Sequence, residues 1–583
     1  MPSEEKLSYY LSKSKTLDNF KFNKKLSVAI LSSFTINGLE ETIRVKCAEK
    51  KIQCITYVSG YNQYTQDILK NDSDLYQSSP EITFLILDVR SIMGNLFYSP
   101  YSLSVEQRKD FIEQKANEII NLAKQFTKNS KSKLIISNFC IPTYSPYGIF
   151  ENKTDYGLKE MINDLNQLLT KNFAKEFSIY IYDFNSFVTK YGENNVFDYR
   201  QYFYGDIKVS LNFIPYLADD FVGYISAILG LNKKCIVLDL DNTLWGGIVG
   251  EDGFEGIKLG DDPTGKAFVE FQLYLQALHQ RGIILAINSK NNFDDAMKVI
   301  KEHPNMVLRE ENFASLKINW NDKVQNFRDI VDELNIGLDS MVFFDDDPVN
   351  REYVSVSIPD VFVVDLPPDP ANYTQTLLSM NIFDVQKITE EDVNRGKMYL
   401  QQRKRSELKN EIGNFQEFLK QLNIRVKIKK ADDFTIPRIS QLTLKTNQFN
   451  LTTHRYQEED IRNFSKTPNK IVGCAQVEDK FGDNGITGVY IVNKDSSNEW
   501  TIDTFLLSCR IIGRGVEEGI LNHIIEKARK EGVKKIKAQY IPTKKNKPTE
   551  NFLPSYGFKK VGDFWVYMVD EPIRKAIHLV VVE

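Results

Sequence analysis

The sequence predicts a multidomain α/β protein, and three observations carry that reading. Short apolar runs alternate with helix-like periodic segments through the first 230 residues, the pattern of a parallel sheet with helices on both faces. A second alternating block opens at Lys233 and stops at the prolines of LPPDP (366–370). The last block, about 424–583, mixes strand-like runs with an amphipathic segment, as an α+β domain does.

In the first block LSVAILSSF (26–34), ITFLILDV (82–89), KLIISNFCI (133–141) and FSIYIYDFN (177–185) read as buried strands. VEQRKDFIEQKANEIINLAKQF (105–126) is the clearest helix between them. In the second block the strands are CIVLDL (235–240), IILAINS (283–289) and SMVFFD (340–345), with a helical stretch over 264–278. A charged helical stretch, 388–410, then leads to the third block and its helix over 516–532. The expected domains are therefore 1–230, 231–372, a helical linker 373–423, and 424–583.

Composition narrows the function. Hydrophobic residues at 42% and charged residues at 26% are ordinary for a globular chain with several cores. A net charge of −4 gives no basic footprint, so nucleic acid is not an expected partner. Six scattered cysteines without a C-x-x-C pair signal neither zinc nor a disulfide framework, and a reducing cytoplasm is expected. The polar opening residues do not read as a signal peptide. No apolar run approaches the roughly 18 residues of a membrane span, and none is expected.

The sharpest chemical signal is CIVLDLDNTLWGG (235–247). Asp239 ends an apolar strand and Asp241 follows two residues later, so strand periodicity sets both carboxylates on one side. Carboxyl ends of strands are where open α/β sheets bind ligands. One carboxylate can attack phosphorus, and a metal offsets the repulsion this meets. The other can protonate the leaving group and later activate water. Ser289, at the end of the next strand and followed by Lys290, offers a hydroxyl to phosphoryl oxygens. Lys323, in INWNDK (318–323), places a cation before a helical stretch. SMVFFDDDP (340–348) ends a strand in Asp345, Asp346 and Asp347, and Asp239 with Asp345 or Asp346 suffices for Mg²⁺, which keeps several waters. Each fragment alone is as well read as a solvated turn or helix cap; the four together, in order, point to phosphoryl chemistry.

This set resembles the haloacid dehalogenase (HAD) superfamily. LDLDNTLWGGIVGEDG (238–253), INWNDK, FFDDDPVNRE and LPPDP resemble its FkbH-like branch, subfamily IIIC, as do KTNQFNLTTHRY (445–456), DKFGDNGITGV (479–489) and FLLSCRIIGRGVE (505–517). The resemblance implies a Rossmann-like HAD phosphatase core, an SGNH-hydrolase-like domain before it and a GNAT acyltransferase-like domain after it. It implies Asp239 as nucleophile, Asp241 as general acid/base, Ser289 and Lys323 as phosphate anchors, and Asp239, Asp241, Asp345 and Asp346 as the Mg²⁺ set. Asp347 stands where relatives usually have Asn.

FkbH-like proteins are associated with 1,3-bisphosphoglycerate, whose glyceryl unit they load onto an acyl carrier protein. Loading members carry a Cys directly before the Ser of the second motif. Here that residue is Asn288, which forms no thioester. Cys235, four residues before Asp239, reads as core. The alternative reading is therefore a stand-alone phosphatase for a sugar or acyl phosphate. The short span between Asp239 and the helical stretch at 264 leaves little room for a cap, so the site is expected to be open to a macromolecular partner.

In the first domain Ser33 sits where an SGNH hydrolase places its serine, and Asn138 corresponds to that family's Asn. No histidine precedes His279, so the domain lacks the usual base and is read as hydrolytically inactive, a docking element. In the last domain Arg510, Gly513 and Gly515 fit the R/Q-x-x-G-x-G/A pattern of GNAT enzymes, whose helix N-terminus holds the pyrophosphate of coenzyme A or a carrier-borne phosphopantetheine. Tyr556 is read equally as a general acid or a core residue. Asn447, Gln448 and Asn450 are read as pantetheine contacts or a hydrogen-bonded turn, and TKKNK (543–547) as a solvated loop or a contact for an acidic carrier.

Overall fold

The computed structural model describes residues 6–17, 22, 24–572 and 579–582. The chain forms two compact units, one up to Ile225 and one from Ser226 onward. The first is built on a parallel sheet of β1 (Lys24–Ser32), β2 (Ile52–Val58), β3 (Ile82–Ile86), β4 (Lys133–Ser137) and β5 (Ile179–Tyr182), in the order β2-β1-β3-β4-β5. Every residue of β3 and β4 is buried, which is why these strands are unbroken apolar runs and do not alternate. Helix α1 (Val105–Asn129) starts at a Ser104–Gln107 capping box and packs beside α2 (Leu158–Phe173). The box ties down two of the amides that every helix start leaves unpaired.

The second unit opens on β6 (Cys235–Leu238), the centre of a parallel sheet in the order β10-β9-β6-β7-β8. Its other strands are β7 (Ile284–Ser289), β8 (Phe313–Ile318), β9 (Met341–Phe344) and β10 (Phe362–Val363). Alternate residues of β6 serve opposite cores. Ile236 and Leu238 pack with Phe271 and Phe344 on one face, and Cys235 and Val237 with Phe327 and Phe343 on the other. Fully burying each such side chain contributes about 1.5–3 kcal/mol. The helices that cover the sheet are α3 (Pro263–Gln280), α4 (Phe293–Glu302), α5 (Lys323–Leu334) and α6 (Pro348–Ser357). Each is capped by a side chain: Asp262, Asn292, Asp322 and Asp347 accept from first-turn amides. The chain leaves β6 toward β7 on one side and reaches β9 on the other, so the crevice of this sheet opens at the carboxyl end of β6.

After the long helix α7 (Arg395–Ile412) comes a nine-stranded, mainly antiparallel sheet. It contains β11 (Ile424–Lys430), β12 (Phe449–Asn450), β13 (Lys470–Asp479), β14 (Gly482–Ser496), β15 (Glu499–Leu507), β16 (Lys535–Ala538), β17 (Lys559–Val561), β18 (Phe564–Met568) and β19 (Leu579–Val582). Helix α8 (Val516–Lys530) lays Val516, Ile520, Leu521, Ile524 and Ile525 into its core, an i, i+4, i+8 face with its neighbours. Helix α7 serves both sheets. Tyr399 belongs to the core under β6 and β9, whereas Leu408 and Ile412 pack on the nine-stranded core. The stretch that reads as a linker is thus a packed element.

Candidate functional site

Asp239 directly follows β6, and its backbone N–H donates to the Phe344 carbonyl at 2.9 Å, which holds it beside the end of β9. Asp345 directly follows β9, and Lys323 is the first residue of α5. Lys323 Nζ lies 2.9 Å from Asp239 Oδ1, 2.5 Å from Asp345 Oδ2 and 3.2 Å from the Asn288 carbonyl. Lys323 is 2% exposed and Asp345 fully buried. Asp239, Asp345 and Asp346 each direct a carboxylate oxygen to within 4.8 Å of the others.

The charges are unbalanced. Burial works against the Lys323 charge, but Asp239 and Asp345 hold its ammonium above the usual lysine range. Burial and the Asp239 charge raise Asp345 despite Lys323. Burial, Asp239 and Asp345 push Asp346 up to about 6. Three carboxylates around one ammonium are short of positive charge, and all the donors are hard oxygens. That is the chemistry of a Mg²⁺ site, so the residues present fit the metal.

Asp241 stands apart from this group. Its Oδ1 accepts from Trp245 Nε1 at 2.8 Å and from the Val249 amide at 3.1 Å, and its Oδ2 accepts from Asn291 Nδ2 at 2.8 Å. With both oxygens engaged there, the carboxylate is not among the clustered metal-binding oxygens, unlike the four-residue expectation. Burial raises its proton affinity, with the Asp239 charge adding to it. A carboxyl whose proton is held more tightly than usual suits a general acid. Ser289 is buried at the end of β7, and its hydroxyl has no hydrogen-bond partner among the described residues. Lys290 is exposed beside it.

Asn288 is fully buried and structural. Its Nδ2 donates to the Lys323 carbonyl at 3.0 Å, and its Oδ1 accepts from Asn326 Nδ2 at 3.0 Å. Cys235 is buried in the core, where burial raises its thiol far above its usual range. Asp347 does not join the metal group either; it caps α6 through the Val349 amide and donates its own amide to Asp345 Oδ1.

Several supporting residues escape a reading of the sequence. Thr243 Oγ1 accepts the Asp346 amide at 3.2 Å, and Arg351 Nη1 donates to the carbonyls of Asp345 and Asp346 at 3.0 and 2.7 Å. Asn242 takes a left-handed conformation (φ 54°) and accepts from the Gly247 amide, which turns the chain back after Asp241. Asn291, in the SKNN string, is the one with a visible signal, two residues after Ser289.

Elsewhere, Ser33 is buried and accepts the Asp88 amide at 2.9 Å. Asn138 is bound into its own corner, donating to Asp183 Oδ1 and accepting from the Asn185 amide. His578 lies outside the described residues. In the nine-stranded sheet Gly513 and Gly515 have φ of 76° and 78°, the left-handed turn that starts α8. The Arg510 side chain is buried against Met398 and Ser508, and Arg514 reaches Gln402 and Asp479. Burial pushes the Glu517 carboxyl up to about 7, with the nearby Gly515 and Glu517 backbone working against it. Tyr556 packs its ring on Phe552. Asn447 accepts from Arg455, and Asn450 ends β12, buried and bonded to Thr446 and Thr453. Lys545 pairs with Asp339.

Residues 27–226 match the family described as FkbH, N-terminal domain. Among solved structures, the chain is similar to the N-terminal part of the protein BF1531 from Bacteroides fragilis, which contains a phosphatase domain complexed with Mg. The two share 30% identity over 66% of this chain and 99% of that one, with a TM-score of 0.60. The ribosomal-protein-S18-alanine N-acetyltransferase of Escherichia coli matches 25% of this chain and 96% of its own at 12% identity and a TM-score of 0.21. A search of curated proteins finds no match. No described helix is long and apolar enough to cross a membrane. With an FkbH N-terminal domain followed by the Asp239 centre, and with a 30%-identical relative matched over almost its whole length, the chain belongs to the FkbH-type family of phosphatase-domain proteins.

Proposed function

We propose that the protein is a Mg²⁺-dependent phosphatase that works through an aspartyl-phosphate on Asp239. The observation that carries this is the buried Lys323 ammonium between Asp239 and Asp345, beside Asp346, at the carboxyl end of β6. Asp239 attacks phosphorus, and the bond to the leaving oxygen breaks as Asp241 gives that oxygen a proton. Asp241 then takes a proton from water, which attacks the phospho-Asp239 and frees phosphate. Lys323 and the Ser289 hydroxyl hold the phosphoryl oxygens. When bound by Asp239, Asp345 and Asp346, Mg²⁺ supplies the positive charge that lets two anions approach.

For the substrate we infer an acyl phosphate such as 1,3-bisphosphoglycerate, with the glyceryl unit passed to an acyl carrier protein. The phosphate ester is lost at Asp239, while the carrier's thiolate attacks the acyl carbon and expels inorganic phosphate. The support is the family to which the chain belongs. In this reading the first domain is an SGNH-like docking element without hydrolytic activity. The nine-stranded domain is GNAT-like and receives coenzyme A or the carrier's phosphopantetheine near Arg510, Gly513, Gly515 and Tyr556. The setting is cytoplasmic.

A second reading, a stand-alone phosphatase for a sugar or acyl phosphate, is favoured by the commitment of Asn288 to Lys323 and Asn326. Phosphate release with Mg²⁺ over a panel of acyl and sugar phosphates, with and without carrier protein, separates the two. Mass gain on the carrier supports loading; turnover indifferent to carrier leaves the phosphatase alone.

A further inference from the structure

Each connection that leaves a strand of the candidate centre carries a large apolar residue into solvent, either in the loop itself or in the first turn of the helix that follows. After β6 it is Ile248, after β7 Phe293, after β8 Trp320 and after β9 Val349. All four strands run parallel, so all four residues follow the carboxyl ends of their strands. Trp320 is 75% exposed and Val349 71%.

The Trp320 loop is not slack. The Asn319 amide donates to the Ser289 carbonyl at 3.1 Å, and Asn319 Oδ1 accepts from the Asn321 amide at 3.0 Å and from Asn326 Nδ2 at 3.1 Å. On the other side Asp322 caps α5, whose first residue is Lys323. Trp320 is therefore fixed between a strand that ends in Ser289 and the helix that starts at Lys323. The exposed indole on this pinned loop has no folding role in view: it packs in neither core of this sheet. Large exposed aromatics on rigid loops are what ligand sites use for apolar contact at small entropic cost.

We propose that Trp320 is a specificity-determining residue: it forms a platform for the organic remainder of the phosphorylated substrate, which presents a flat or C–H-rich face. This rests on the phosphatase reading. Trp320 stands three residues before Lys323, so a phosphoryl group held by Lys323 and Ser289 would bring its remainder toward this loop. A bare two-carbon acyl phosphate is too small to use it.

The test compares phosphate release by the full chain, with Mg²⁺, from acetyl phosphate and from 2-naphthyl phosphate. Trp320→Ala is expected to raise KM for the naphthyl ester about five-fold more than for acetyl phosphate, with Trp320→Phe recovering most of the loss. Equal changes on both substrates overturn the proposal. A wild type that releases no phosphate from either defeats the phosphatase reading, and the platform is then decided by binding. Benzylphosphonate added to Asp239→Asn protein should change tryptophan emission, and that change should be lost in the double variant with Trp320→Ala. An identical emission change in both proteins refutes the platform.

Discussion

Asp345 Oδ2 and Lys323 Nζ meet at 2.5 Å with neither side chain open to solvent, so the charge on each depends on the other. Removing one member of a buried pair leaves the other charged and unpaired, at a cost of about 3–5 kcal/mol. Lys323→Met should lose roughly this much stability in urea unfolding without metal, and its activity as well. Saturating Mg²⁺ should return part of the stability, because it brings positive charge back to the same carboxylates.

Mg²⁺ should raise the melting temperature of the wild type, with a dependence on concentration that yields its Kd. In Asp239→Asn the shift should shrink, and Mg²⁺-dependent phosphate release should fall by about three orders of magnitude or more, as expected when a covalent nucleophile is removed. Retained turnover in this variant rules out the aspartyl-phosphate route.

Asn288→Cys restores the residue type of loading relatives but removes two buried hydrogen bonds, to Lys323 and from Asn326. The expected loss is about 1–3 kcal/mol in chemical denaturation, because Asn326 is left without this partner. Asn288→Asp, which keeps the acceptor for Asn326 but not the donor to Lys323, separates the two bonds.

Glu517 gives a pH signature far from the phosphoryl site. Burial pushes its carboxyl up to about 7 from the ordinary 4.5, so the folded chain keeps a proton that the unfolded chain releases. Its contribution is fully present below pH 4.5 and is lost as pH rises through 7. Glu517→Gln should flatten the fall in stability across that window, as read from urea midpoints at each pH. A slope identical to wild type shows that Glu517 does not titrate there.

The centre was legible because its parts lie at element ends in order: Asp239 and Asp345 directly follow apolar strands, Ser289 ends one, and Lys323 starts a helix. The strands β6, β7 and β9 were legible for the same reason. β2, with Gln53 and Thr56 interrupting a half-exposed edge, carries a weaker pattern, and β8 (FASLKI) offers little apolar contrast with its flanks. Asp241 shows the limit of spacing. Periodicity put it beside Asp239, but only the fold shows that Trp245, Val249 and Asn291 engage both of its oxygens, apart from the grouped carboxylates of Asp239, Asp345 and Asp346. Arg351 and Thr243 act through backbone atoms of the acidic turn, and such contacts leave no motif.

Helix α7 carries a last consequence. Tyr399 fills the core beneath β6 and β9, while six residues on Arg405 makes a buried two-pronged pair with Asp479 of β13, at 2.7 and 2.8 Å. A chain cut on either side of this helix strands a ring or an ion on the wrong fragment. The two sheets of the second unit should therefore unfold in one cooperative transition in the full chain.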